Sequence, residues 1–209
     1  MEPSKARRAS DSRLLTDIEQ RTFEFFWERV NHRNGLMPDR WPAPSPCSIA
    51  ATGFALSAWP IGVERRWITR DQACDITLRA LRFMDQLPQG EQPSGTSGYR
   101  GFFYHFLDVE TGLRFGQSEL STADTSWLQL GMAFAQSWFN QENDSEKEIR
   151  ALAQRLLDRT RRPQQGHKQV AQRIAIAKIA CAPFVCQASK ASPLRHPSNQ
   201  KVRRHWARS

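Results

Sequence analysis

GFFYHFLDVETGLRFGQSELSTADTSWLQLGMAFAQSWF, residues 101–139, carries the chain's one strand signal and runs on into a long apolar helix. Phe102 to Leu107 is rich in aromatic residues and reads as a strand. Glu110-Thr111-Gly112 reads as a turn, and Leu113 to Phe115 as the returning strand of a short hairpin. Ser121 to Phe139 is apolar at helical spacing. The hairpin is thus an insertion between helices, not a member of an alternating β-α series.

The flanking sequence is helical in both directions. Toward the N-terminus, Thr69 has the chemistry of an N-cap for a helix from about Arg70 to Leu87, with Ala73, Ile76, Thr77, Ala80, Leu81, Phe83 and Met84 on its inner face. Ser48 to Val63 is small and apolar nearly all round, which suits a helix buried on most sides. Gly53 would permit a close neighbour, and Pro60 and Gly62 are expected to mark the end. LMPDRWPAPSP, residues 36–46, holds four prolines and reads as a rigid connector. Leu14 to Val30 is an amphipathic helix whose Phe23, Phe26 and Trp27 are expected in the core, and Asn34-Gly35 supplies a left-handed stop. Toward the C-terminus, Ser145 with Glu148 resembles a capping box for a helix to about Arg159. Five helices and one hairpin make an all-α architecture over residues 13–159, with residues 1–12 expected to be disordered.

Charge divides the chain sharply. Residues 1–159 hold all 21 acidic and 19 of the 30 basic residues, whereas residues 160–209 hold 11 basic residues and no acid. The overall charge of +9 therefore belongs to the tail, and the nucleic-acid reading it invites does not extend to the folded part. The tail has only Phe184 and Trp206 as aromatics and no recognisable module, so nucleic-acid binding is not the expectation. It reads as largely disordered apart from a short helix around Val170–Ala182. Its acid-free Arg/Pro/Ser/Gln composition, starting abruptly at the end of a helix, is what an out-of-frame reading of a G+C-rich gene gives. Cys181 and Cys186 lie near His167 and His196 at the edge of zinc-ligand spacing, but no second regular pair follows. Free thiols and no metal are expected. The N-terminus lacks the apolar core of a secretory signal, and no segment reaches a membrane span, so the chain taken as it stands reads as soluble and cytoplasmic.

Residues 101–131 combine the most polar groups with the most aromatic ones. Asp124 falls at an otherwise apolar helix start, where a carboxylate must be paired, capping, or facing a wet cavity. The helix N-terminus favours its charge, so a purely structural role competes with a chemical one. Glu119 lies five residues earlier, a spacing that does not itself put both acids on one helical face. Tyr104 and His105 alternate along the strand, so a site-facing position is open to one while the other packs, and for each a core position is at least as strong a reading. Trp41 or Trp127 has the surface to stack on a ligand, although Trp127 on an apolar helix is expected in the core.

Together, TFEFFWERVNHRNGLMPDR at 22–40, SIAATGFALSAWPIGVERRWITRDQA at 48–73, GFFYHFLDVETGLR at 101–114 and ELSTADTSWLQLGMAFAQSWF at 119–139 resemble the glycoamylase-like (glucoamylase-like) domain family. That family includes bacterial endo-β-1,2-glucanases and a domain of cyclic β-1,2-glucan synthases. The resemblance covers residues 13–159. It implies an incomplete (α/α)6 barrel, with about five of its twelve helices, that acts on or binds a β-glucan without a cofactor. It implies Asp124 and Glu119 as catalytic candidates at one mouth of the barrel, and Asp39, Arg40, Tyr104 and His105 as sugar-binding candidates. Its members often work in the periplasm or outside the cell. The expected chain is a truncated, weakly active or inactive glycoside hydrolase, self-associating through uncovered apolar helix faces. The alternatives are a carbohydrate-binding or assembly subunit completed by another chain, and nucleic-acid binding through the tail.

Overall fold

The computed structural model describes residues 5–160. Its five helices are α1 (Lys5–Glu28), α2 (Ile49–Glu64), α3 (Arg70–Gln86), α4 (Thr122–Trp138) and α5 (Asp144–Arg159). α2 packs along α4, α1 and α3 lie against α2, and α5 lies against both α3 and α4. The result is an inner pair, α2 and α4, backed by an outer layer, which is the arrangement of part of a helical barrel. The core is apolar and centred on the inner pair, with Leu56, Trp59, Leu128 and Met132 essentially without exposure.

Two glycines explain how closely the inner helices approach. A Cβ added at Gly131 would stand 2.0 Å from the Gly53 carbonyl oxygen, and one added at Gly53 would stand 2.5 Å from the Trp127 carbonyl oxygen. Backbone thus meets backbone, as the small residues of the second helical stretch predict. Outside them, Thr69 caps α3 in a complete capping box: its hydroxyl accepts from Gln72 N at 3.1 Å, and Gln72 Oε1 accepts from Thr69 N at 2.8 Å. Gly35 has φ +72° with its Cα against Ala80, so the Asn34-Gly35 stop is both a left-handed position and a contact with no room for a side chain.

Four features differ from expectation. α1 starts at Lys5, within the stretch 1–12 expected to be disordered, because Lys5-Ala-Arg-Arg-Ala are good helix formers. Only its last turns reach the core: Phe23 is buried while Leu14, Leu15 and Ile18 are exposed. Pro60 does not end α2, which continues to Glu64. A proline in the last turns removes one backbone bond and leaves the rest of the helix to continue. The α5 cap is Asn143, not Ser145. Asn143 Oδ1 accepts from Glu146 N at 2.8 Å, and the Glu146 carboxylate turns inward to Arg70.

The expected hairpin is shorter and shared among more segments than its sequence suggests. The strands are β1 (Cys47–Ser48), β2 (Gly98–Tyr99), β3 (Phe102–Tyr104), β4 (Phe106–Leu107) and β5 (Leu120–Ser121). The run 102–107 divides at His105. β3 pairs with β2 and β5, whereas β4 pairs with β1 and retains a single bridge, Leu107 to Arg114, to the predicted return strand. β1 leads straight into α2 and β5 straight into α4, so this one run ties together the starts of both inner helices.

No described helix is long and apolar enough to cross a membrane. Cys47 and Cys74 are free and buried. The readings of the basic tail beyond residue 160, including the helix around 170–182, the out-of-frame origin, nucleic-acid binding and Cys181 with Cys186, lie outside the described residues.

Candidate functional site

The site assembles where the inner helices begin. Ser121 caps α4, its hydroxyl accepting from Asp124 N at 3.1 Å and donating to the Asp124 carboxylate. Asp124 therefore occupies the third helical position, where the helix dipole favours its charge. Its structural and chemical readings prove compatible, because the same carboxylate faces His105, with Oδ2 3.9 Å from Nε2. Glu119 approaches the other ring nitrogen, its Oε1 accepting from His105 Nδ1 at 2.9 Å. That bond favours the Nδ1–H tautomer and leaves the Nε2 edge toward Asp124.

His105 is fixed by its backbone as well as its ring. Its N–H donates to the Glu119 carbonyl at 2.9 Å, and its carbonyl accepts from Ile49 N, the first residue of α2, at 3.2 Å. The ring stacks on Phe106 with centroids 3.8 Å apart. The break between β3 and β4 thus turns one polar side chain toward the acids while keeping its main chain bonded to both helix starts. Glu119 is well exposed, yet its own backbone N–H and then the His105 ring hold its carboxyl below the usual range.

Of the other sequence candidates, Asp39 and Arg40 lie at the same end of the molecule. Pro38 bridges Cys47, and Asp39 N donates to the Pro46 carbonyl at 3.0 Å, which closes the base of the Pro-rich loop beside β1. Arg40 is largely exposed, and its Nη1 lies 3.7 Å from Asp39 Oδ2. Tyr104 is not brought to the site. It packs into the core with the Arg114 guanidinium 4.4 Å from its ring centroid, so of the alternating pair only His105 faces the acids. Trp41 is exposed and covered on one face by Arg29, 3.8 Å from its ring centroid. Trp127, expected in the core, is 49% exposed and lies against the 43% exposed Phe54 of α2.

Sequence reasoning missed Ser121 and Phe54. A Ser three residues ahead of an acid is a capping spacing and was open to reading at Ser121-Thr-Ala-Asp124. The outward position of Phe54 within an all-apolar helix has no such signal. As a chemical unit, one nitrogen of His105 and one oxygen each of Glu119 and Asp124 lie within 4.8 Å of one another, close enough to share a cation. The acids are already engaged by His105 Nδ1 and the Ser121 hydroxyl. An opposed glycosidase pair stands about 5–5.5 Å apart in retaining enzymes and about 6.5–9.5 Å in inverting ones. Glu119 and Asp124 flank one imidazole, with their nearest ligand atoms within 4.8 Å.

No family model matches the chain. An exo β-1,2-glucooligosaccharide sophorohydrolase (non-reducing end) of Parabacteroides distasonis is 30% identical over 147 residues, covering 68% of this chain and 19% of its own length. The crystal structure of a β-1,2-glucanase from the same species superposes with a TM-score of 0.64 at 28% identity, over 72% of this chain and 21% of that one. A glucoamylase-like protein of Bacteroides uniformis has the same fold, with a TM-score of 0.63 at 23% identity, over 77% of this chain and 37% of that one. The chain thus spans about a fifth of the length of the curated relative it matches. The resemblance to the glycoamylase-like family is matched in sequence and in fold. The chain is similar to β-1,2-glucan-active glycoside hydrolases, and its described residues form a partial glycoamylase-like barrel.

Proposed function

We propose that this partial glycoamylase-like barrel presents one wall of a β-glucan cleft, built for glycoside hydrolysis on β-1,2-linked glucose chains. The observation that carries the reading is the grouping of Glu119, hydrogen-bonded to His105, with Asp124 3.9 Å from the other ring nitrogen, across the start of α4 in a chain similar to a β-1,2-glucooligosaccharide sophorohydrolase. In this reading Asp124 is the carboxyl that meets the scissile region, and Glu119 acts beside it, holding the imidazole in one tautomer. Asp39 and Arg40, on the loop closed at β1, hydrogen-bond sugar hydroxyls. Hydrolysis requires a second carboxyl across the bond. Glu119 is on the same side as Asp124, so residues 1–209 alone bind glucan but cleave it slowly or not at all.

Calorimetric titration of the 209-residue chain with a β-1,2-glucooligosaccharide tests this, together with a reducing-sugar assay. Binding that Asp124→Asn weakens by about tenfold, about 1.4 kcal/mol, supports it. No binding, or cleavage unaffected by Asp124→Asn, would sink it. A second reading, an assembly or binding subunit completed by another chain, is favoured by the exposed Leu14, Leu15 and Ile18 on α1. Self-association through that stripe is part of this reading, and light scattering distinguishes it.

A further inference from the structure

Phe54 and Trp127 occupy facing positions on α2 and α4, with ring centroids 5.3 Å apart and planes inclined at 48°. Both are strongly exposed, although their chain neighbours Gly53, Ala55 and Leu128 are buried. The backbone beneath is closely packed, because Gly53 sits directly on the Trp127 and Leu128 main chain. The pair is therefore an exposed aromatic surface on tightly packed helices. It lies three residues along α4 from Asp124, or about 4.5 Å down the helix axis.

An exposed aromatic surface one turn below a carboxylate–imidazole series has the chemistry that recognises a pyranose. The polar groups take hydroxyls, and the rings take the C–H face. A β-glucopyranosyl ring suits it, since its ring hydrogens are axial and present two apolar faces, with the hydroxyls around the edge. Trp and Phe supply large area at low conformational cost and prefer such face contacts.

We infer that Phe54 and Trp127 form a stacking subsite for a β-glucosyl residue adjoining the one held by Asp124 and His105. This rests on the glucan reading above and assigns Trp127 a ligand-positioning role. The test is nuclear magnetic resonance on the 209-residue chain, titrated with a β-1,2-linked glucose trisaccharide. The Trp127 indole N–H is assigned by its loss in Trp127→Phe. The expected result is a saturable shift of that indole signal. Affinity should fall about tenfold in Trp127→Ala and less than about threefold in Trp127→Phe, which keeps a stacking face.

Saturating shifts at residues 119–124 with a still Trp127 indole would overturn the stacking subsite and leave the glucan reading standing. No sugar-dependent shift anywhere would overturn both. An indole signal that moves with protein concentration but not with sugar would overturn the inference by making the pair a contact between copies. The wild-type titration decides even where Trp127→Ala fails to fold.

Discussion

Glu146→Gln is the most exacting test of how the outer helices are held. Glu146 is 2% exposed at the first turn of α5, and its carboxylate accepts three hydrogen bonds at once. Arg70 Nε and Nη2 donate to it at 2.7 and 2.8 Å, Gln141 N donates at 2.8 Å, and Asn143 secures its backbone. Breaking a fully buried ion pair costs about 3–5 kcal/mol. Arg70 is partly exposed, and its guanidinium keeps its place over Trp138 at 4.1 Å and its bond to the Trp138 carbonyl. The expected loss is accordingly about 2–3 kcal/mol at pH 7, the range for a charge-assisted bond removed without deleting its shape.

Acid should expose the same interaction. Arg70 holds the Glu146 carboxyl below its ordinary value of 4.5 in the folded protein. A depressed carboxyl contributes stability that is fully present above the unfolded pKa and lost as the pH falls through the folded one. The gap between wild type and Glu146→Gln should therefore be constant from pH 7 to about pH 5 and narrow below about 4.5. Urea unfolding followed by far-ultraviolet circular dichroism at a series of pH values measures both. A loss under about 0.5 kcal/mol at pH 7, or a gap unchanged at pH 3, would refute the argument.

Ser121→Ala should cost about 1 kcal/mol of stability through the lost cap, and should also weaken sugar binding because Asp124 loses the hydroxyl that orients it. Gly131→Ala should lower stability by about 2 kcal/mol or more, since the added carbon meets the Gly53 carbonyl; a change within error in a thermal melt would contradict the backbone contact. Cys47, whose thiol burial pushes up to about 12, should resist a thiol reagent in native buffer and react only at the rate of unfolding. Leu14→Glu with Ile18→Glu should leave the circular dichroism spectrum unchanged while abolishing any dimer detected by light scattering.

Much of the architecture was legible because it rests on local chemistry. Apolar spacing marks four of the five helices. Thr69, read as the α3 cap, does cap it, in a box with Gln72. Places where tertiary contact overrides a local rule were not legible. Pro60 stays helical inside the packed inner layer, Asn143 and not Ser145 caps α5 while Glu146 bonds Arg70, and the hairpin keeps only a short contact with its return strand while sharing its run with β1, β2 and β5. At the site, sequence spacing does not join His105, Glu119 and Asp124; the pairing of β3 with β5, which leads into α4, brings them together. Tyr104 and Trp127 exchange roles, core for surface, because the side a residue faces depends on the helix or sheet laid against it.

The run 102–107 has a mechanical consequence. α2 starts from a hydrogen bond to the His105 carbonyl, and α4 is tied to the same run by Thr125, whose hydroxyl accepts from Phe103 N at 3.0 Å. The helices meet again at the glycine contact. Base, two struts and a pinned crossing make a triangulated frame, which resists shear in a way that a hairpin standing alone does not. His105 and Asp124 are mounted on that frame, and Glu119 is tied to it through the His105 N–H and ring.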